Sequence, residues 1–132
     1  MTATAAGKRA EPAPHEGDDP CPIGAASEAL FSRWTSHVLW TLQHEGRMRF
    51  GDLRARIPGV TPKVLAARLR KLERDGLVTR TYHREMPPRV EYEATDLART
   101  LTPVFRMLAQ WSERHLDAVR TARSEFDARD DR

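Results

Sequence analysis

Residues 61–76 read TPKVLAARLRKLERDG, and this stretch decides the fold. Thr61 offers a side-chain oxygen to the unsatisfied amides at a helix start. Pro62 stands at the first helical position, where a missing N–H costs nothing. Gly76 is a residue on which a helix ends. The spacing therefore predicts a helix over about 62–75. At 3.6 residues per turn, Leu65, Leu69 and Leu72 share one face, and Lys63, Ala67, Arg70, Lys71 and Arg74 take the opposite one. One side is made for a core and the other is cationic, with Ala66 and Ala67 small enough to admit a close partner.

Upstream, Ile23, Ala26, Leu30 and Trp34, then Val38, Leu39 and Leu42, recur at three- and four-residue spacings. That pattern predicts one buried helical stripe from Pro22 to Gly46. Phe50, Leu53 and Ile57 form a second short amphipathic stretch, stopped by the turn pair Pro58-Gly59. Downstream, residues 77–82 (LVTRTY) and 89–93 (RVEYE) read as two strands joined by a tip containing Met86-Pro87-Pro88. Thr95 is expected to cap a final long helix, in which Leu101, Val104, Phe105, Leu108, Trp111, Leu116 and Val119 keep helical spacing. The order is helix, short helix, capped helix, hairpin, long helix. It predicts a mainly α fold with a small β-hairpin (α+β), a winged helix-turn-helix with a long C-terminal dimerisation helix.

With 132 residues the chain has room for one core, and multi-domain enzymes are excluded. Residues 1–20 are rich in Ala, Pro, Gly and Asp without apolar period and are expected to be a disordered tail. Residues 21–115 are expected to form the domain. The C-terminal helix is expected over 96–128, overlapping that domain and serving dimerisation. The formal charge is +3, but its distribution is uneven: residues 47–92 carry 12 Lys and Arg against 5 Asp and Glu, whereas residues 93–132 carry 7 against 8. A localised basic block is the sequence footprint of a nucleic-acid partner, the alternative being a solvated charged surface. No long apolar run exists, and the start MTATAAGKRAEPAP lacks the apolar stretch of a secretory signal. No membrane association and a cytoplasmic location are expected.

The candidate DNA contacts follow from this placement. Thr61 and Lys63, near the helix start, lie closest to base edges, where the helix dipole and open amides also favour phosphate. Ala67 and Lys71 lie on the same exposed face. Arg70 is in reach of a guanine edge or a phosphate, and both roles stay open. Arg68 stands between the two faces, so it either joins the contacts or braces the core. Arg84 and Arg89 flank the hairpin tip, where a wing meets the minor groove or backbone, and Arg49 precedes the short helix in a position to hold a phosphate. The first and last helices supply the expected dimer seam, through Ile23, Leu30, Val104, Leu108, Trp111 and Leu116, because the last apolar stripe exceeds what a small core buries.

Several strings, in order, resemble the HxlR-type winged helix-turn-helix regulators over residues 21–115. They are Cys21-Pro22, Trp34, Arg49-Phe50-Gly51-Asp52-Leu53, Ile57-Pro58-Gly59-Val60-Thr61-Pro62-Lys63-Val64-Leu65, Arg68-Leu69, Leu72-Glu73, Asp75-Gly76-Leu77-Val78, Pro87-Pro88-Arg89-Val90-Glu91-Tyr92 and Trp111. The resemblance implies a bacterial, dimeric DNA-binding transcription factor at a two-fold operator near a divergently transcribed gene. It also implies, for Cys21, the oxidant or electrophile sensing seen in some relatives. The chain departs from the family pattern at Phe31-Ser32, where a glycine pair is common, and at Ser36 and His37, usually apolar. A more continuous helix junction, with an altered effector pocket, is expected there.

Cys21 is the sole cysteine, so any disulfide has to join two subunits or a small thiol, whereas alkylation needs no partner. Packing at a dimer interface as a small hydrophobe is the alternative. His15, His37, His44, His83 and His115 show no compact ligand spacing, so neither a metal nor a cofactor is expected. Trp34, Trp40 and Trp111 lie in apolar stripes and are expected in the core and the interface. No nucleophile elbow, phosphate loop or dinucleotide fingerprint is present, which points away from an enzyme. The expected partners are double-stranded operator DNA, a second copy of the chain, and a small-molecule, oxidant or electrophile effector. The different-class alternative is a winged-helix protein–protein module that never reads DNA.

Overall fold

The computed structural model describes residues 20–130. The tail expected over 1–20 therefore lies, but for its last residue, outside the described residues. Helix α1 (Gly24–Leu30) is followed by α2 (Thr35–Glu45), strand β1 (Met48–Arg49), α3 (Phe50–Ala55), α4 (Pro62–Arg74), β2 (Val78–His83), β3 (Arg89–Ala94), α5 (Asp96–Arg99) and α6 (Thr102–Asp130). The three strands form an antiparallel sheet in the order β1-β3-β2.

Helix α4 forms as its sequence dictates. The Thr61 hydroxyl accepts the Val64 N–H at 3.2 Å, Pro62 opens the helix, and Gly76 follows its end with φ +77. Leu65, Leu69 and Leu72 are all buried, together with Val38, Leu39 and Leu42 of α2 and Leu53 of α3. Each such leucine contributes about 1.5–3 kcal/mol by leaving water, so this three-helix contact carries the core. Val78 and Ala94 extend it into the sheet, and Ala98 of α5 and Phe105 of α6 complete it.

Three expectations about the elements need correction. The stripe from Pro22 to Gly46 is not one helix, and the junction at Phe31–Trp34 is not continuous. Trp34 adopts a left-handed backbone, φ 78 and ψ −16, and Thr35 starts a new helix. The Ser32 and Thr35 hydroxyls share a hydrogen bond of 2.6 Å, and the Thr35 N–H donates to Ser32 O. This turn replaces helical bonds without a glycine. The break leaves Ile23 exposed and keeps Leu30 in the core. Thr95, secondly, caps the four-residue α5 rather than the long helix. Its Oγ1 accepts the Ala98 N–H and donates to Gly76 O, tying the sheet exit to the end of α4. The Gln43 amide donates to Ala98 O, so α2 holds the kink that separates α5 from α6. Thirdly, the two-residue β1 is a strand no periodicity announces: Met48 pairs with Tyr92 and Arg49 with Glu91.

Candidate nucleic-acid interface

Helix α4 presents its cationic face away from the core. Lys63, Ala66, Ala67, Arg70 and Arg74 are exposed, and the side chains of Lys63, Arg70 and Arg74 make no hydrogen bond or ion pair with another described residue. Thr61 is exposed too, but its hydroxyl is engaged as the cap.

Arg68 and Lys71 do not join this group. The Arg68 Nε–H donates to Arg33 O at 2.8 Å. Lys71 Nζ donates to Glu28 O at 3.1 Å and to Ala29 O at 3.5 Å, and lies 4.0 Å from Asp75. Glu28 and Ala29 belong to the last turn of α1, whose carbonyls have no intrahelical partner. Both side chains, expected among the DNA contacts, are thus tied to α1 and the turn after it. They fix how α4 is held, and they are drawn off the outer face by acceptors that only the crossing of α1 supplies.

The wing sorts its cations in the same way. Arg84 is exposed at the start of the tip. Arg89 is instead held inside the hairpin: its Nη2 lies 3.3 Å from Glu85 and its Nε 3.5 Å from Glu91, whose other neighbour is His83 Nε2 at 2.7 Å. This cluster stiffens the base of the wing and removes Arg89 from the free cations. Arg49 is exposed on β1, at the N-cap of α3.

Arg80 was not among the expected contacts, yet it lies beside Arg70. Side chains alternate along a strand, so Arg80 shares the face of buried Val78 and pairs with Tyr92. It lines a notch between α4 and the sheet with Ala66, Arg70, Glu73 and Tyr92. The period-two signal in residues 78–80 was sufficient to find it. The surface thus runs from Lys63 and Arg70 on α4, across Arg80, to Arg84 on the wing.

The expected dimer seam divides. Leu30 is 5% exposed within its own chain and is removed from the seam by its place in the core. Ile23, Val104, Leu108 and Trp111 are exposed, and Leu116 is half-buried. Trp40 and Trp111, expected in core and interface, are both open to solvent in the single chain. Cys21 is exposed ahead of α1, and its carbonyl accepts the Gly24 N–H. No helix of the described residues is long and apolar enough to cross a membrane.

The HxlR-like helix-turn-helix family model matches residues 29–120. The chain is 34% identical over 99 residues to the HTH-type transcriptional regulator YdeP of Bacillus subtilis, covering 75% of this chain and 77% of that protein. It is 39% identical over 105 residues to the HTH-type transcriptional regulator YtfH of Escherichia coli, covering 80% and 82%. The redox regulator HypR in its reduced form has a similar structure, with a TM-score of 0.71 at 30% identity over 76% of this chain and 99% of that one.

Proposed function

This chain belongs to the HxlR-like helix-turn-helix family, and from that premise we propose that it is a homodimeric bacterial transcriptional regulator whose α4 enters the major groove of a two-fold operator. Helix-turn-helix transcriptional regulation is common to its relatives, and the fold is theirs. The observation that carries the finer reading is the open cationic surface of Lys63, Arg70, Arg80 and Arg84, with Arg74 and Arg49 at its margins. Small Ala66 and Ala67 sit between those cations, where a backbone or base edge has to approach.

Two copies are needed because α6 has little of its own chain to pack on. Of its 29 residues only Phe105 is buried, while Val104, Met107, Leu108 and Trp111 are exposed. Pairing α6 with α6 covers that stripe, and a two-fold dimer repeats α4 at about one helical turn of DNA, roughly 34–36 Å, or a multiple of it. Cys21, exposed before α1, is the residue through which an oxidant or electrophile acts in this reading, and the likeness to a redox regulator supports it.

Fluorescence anisotropy with the DNA upstream of its own gene, against a scrambled duplex at fixed salt, tests the reading. Selective binding is the expected result. Equal, weak binding to both duplexes and to other candidate promoters favours the protein-partner module instead. Treatment with benzoquinone adds the Cys21 thiol across the quinone ring, and release from DNA in the wild type but not in Cys21→Ser is expected. Release in both variants removes Cys21 from the mechanism.

A further inference from the structure

A cleft with a volume of about 720 Å³ lies between α2, the end of α3 and the start of α6. That volume falls in the range that small-molecule sites occupy, roughly 300–1,000 Å³. Its walls are apolar and largely aromatic: Trp34, Trp40, Phe105 and Leu108. Its polar edge includes His37 and Arg56, and no carboxylate lines it. Arg56 donates one Nη1–H to Glu45 at 2.8 Å, which leaves most of its five donors for another acceptor.

We propose that this cleft binds a small planar aromatic monoanion, with its ring between the tryptophans and its acid group on Arg56, and that occupancy changes the operator affinity of α4. Flat ring walls select a flat apolar body, and the Arg56 guanidinium, with donors left over beyond the one given to Glu45, takes a single acid group.

The coupling runs through Trp34. One part of its indole lines the cleft, in ring contact with His37 at 5.2 Å. Its Cη2 stands 3.4 Å from where a β-carbon would sit on Gly59, a residue at φ +92 in the turn that leads into the Thr61 cap. The neighbouring Arg33 lays its guanidinium over the same ring at 4.8 Å, and its carbonyl accepts the Arg68 bond that holds α4. Trp34 itself keeps a left-handed backbone that a bulky residue holds only under strain. A ring wedged against Trp34 therefore acts on both supports of α4, the Gly59 turn and the Arg33 carbonyl.

The effector role rests on the DNA-binding reading, whereas the binding site does not. The test uses 2-naphthoate and its uncharged analogue 2-naphthamide with the full-length protein. Saturable quenching of tryptophan fluorescence by one 2-naphthoate per chain is expected. Arg56→Gln should weaken 2-naphthoate about tenfold and leave 2-naphthamide unchanged. Trp40→Ala should weaken both, and Ala109→Phe, which fills the cleft from α6, should abolish both. In the same samples, saturating 2-naphthoate should change operator affinity about tenfold, within the range of allosteric couplings.

No saturable quenching, or quenching that survives both Trp40→Ala and Ala109→Phe, overturns the site; a second copy closing over the cleft gives the first of these results. Quenching with unchanged operator affinity overturns the effector role. A protein that binds 2-naphthoate as expected but no operator leaves the site standing and sinks the DNA-binding reading alone.

Discussion

Helices α4 and α6 are both amphipathic, yet they resolve their apolar stripes differently. Every apolar position of the α4 stripe, Leu65, Leu69 and Leu72, is buried inside the chain, whereas α6 buries Phe105 and exposes Val104, Met107, Leu108 and Trp111. Periodicity announces that a face will be covered, and it does not say by what. In α4 the cover is α2, α3 and the sheet. In α6 the remaining cover that we propose is a second copy.

The largest expected effect breaks the α6 half of the comparison. Val104→Asp with Trp111→Asp should leave the fold of the single chain intact, since both side chains are already exposed, but should give a monomer in sedimentation at micromolar concentration. Operator affinity should then fall by about 10²–10⁴-fold, the gain that linking two sites supplies. A wild-type chain that sediments as a monomer at those concentrations would remove the dimer from the account.

The matching change in α4 should do the reverse. Leu69→Ala leaves a cavity in a closed core and should cost about 2–5 kcal/mol of stability, read from denaturant unfolding, without altering the association state of the protein that remains folded. Similar stability loss from the α6 double variant would show that α6 packs within its own chain after all.

Within α4 the comparison sharpens to single cations. Lys63→Ala with Arg70→Ala should lower DNA affinity and reduce the slope of log affinity against log salt by about 4, roughly one for each of the four phosphate charges that a dimer loses. A smaller slope change with relaxed preference at one base would assign Arg70 to a guanine edge. Arg68→Ala should behave otherwise: its hydrogen bond to Arg33 O is worth about 1 kcal/mol, so the melting temperature should drop by a few degrees while the salt slope stays put. If the slope falls in Arg68→Ala as it does in the double variant, the division between holding and contacting cations is wrong.

Much of this was legible beforehand. Thr61, Pro62 and Gly76 marked α4 because capping and proline placement are local requirements, satisfied within a few residues of chain. The leucines at 65, 69 and 72 marked its buried face for the same reason. The hairpin was legible from its alternation and its proline tip, and Arg80 lay within reach of that alternation. The break at Trp34 was not, because the family's usual glycine pair is missing and the Ser32–Thr35 hydroxyl bond takes over its role. Strand β1 was not, because two residues carry no period.

The sequence by itself determined the α4 helix, its cap, its two faces and the family, since each depends on spacing along the chain. Only the tertiary structure decided which cations are free. In the sequence Lys71 shares the face of Arg70 and Arg68 stands at its edge with two roles open, but backbone carbonyls at Arg33, Glu28 and Ala29 take their donors. Unsatisfied carbonyls at a helix end draw the nearest donor, and which donor is nearest depends on how α1 crosses α4, a distance in space between residues some 35 to 43 positions apart in the chain. The cleft beside Trp34 has the same origin, made by three elements that no local pattern brings together.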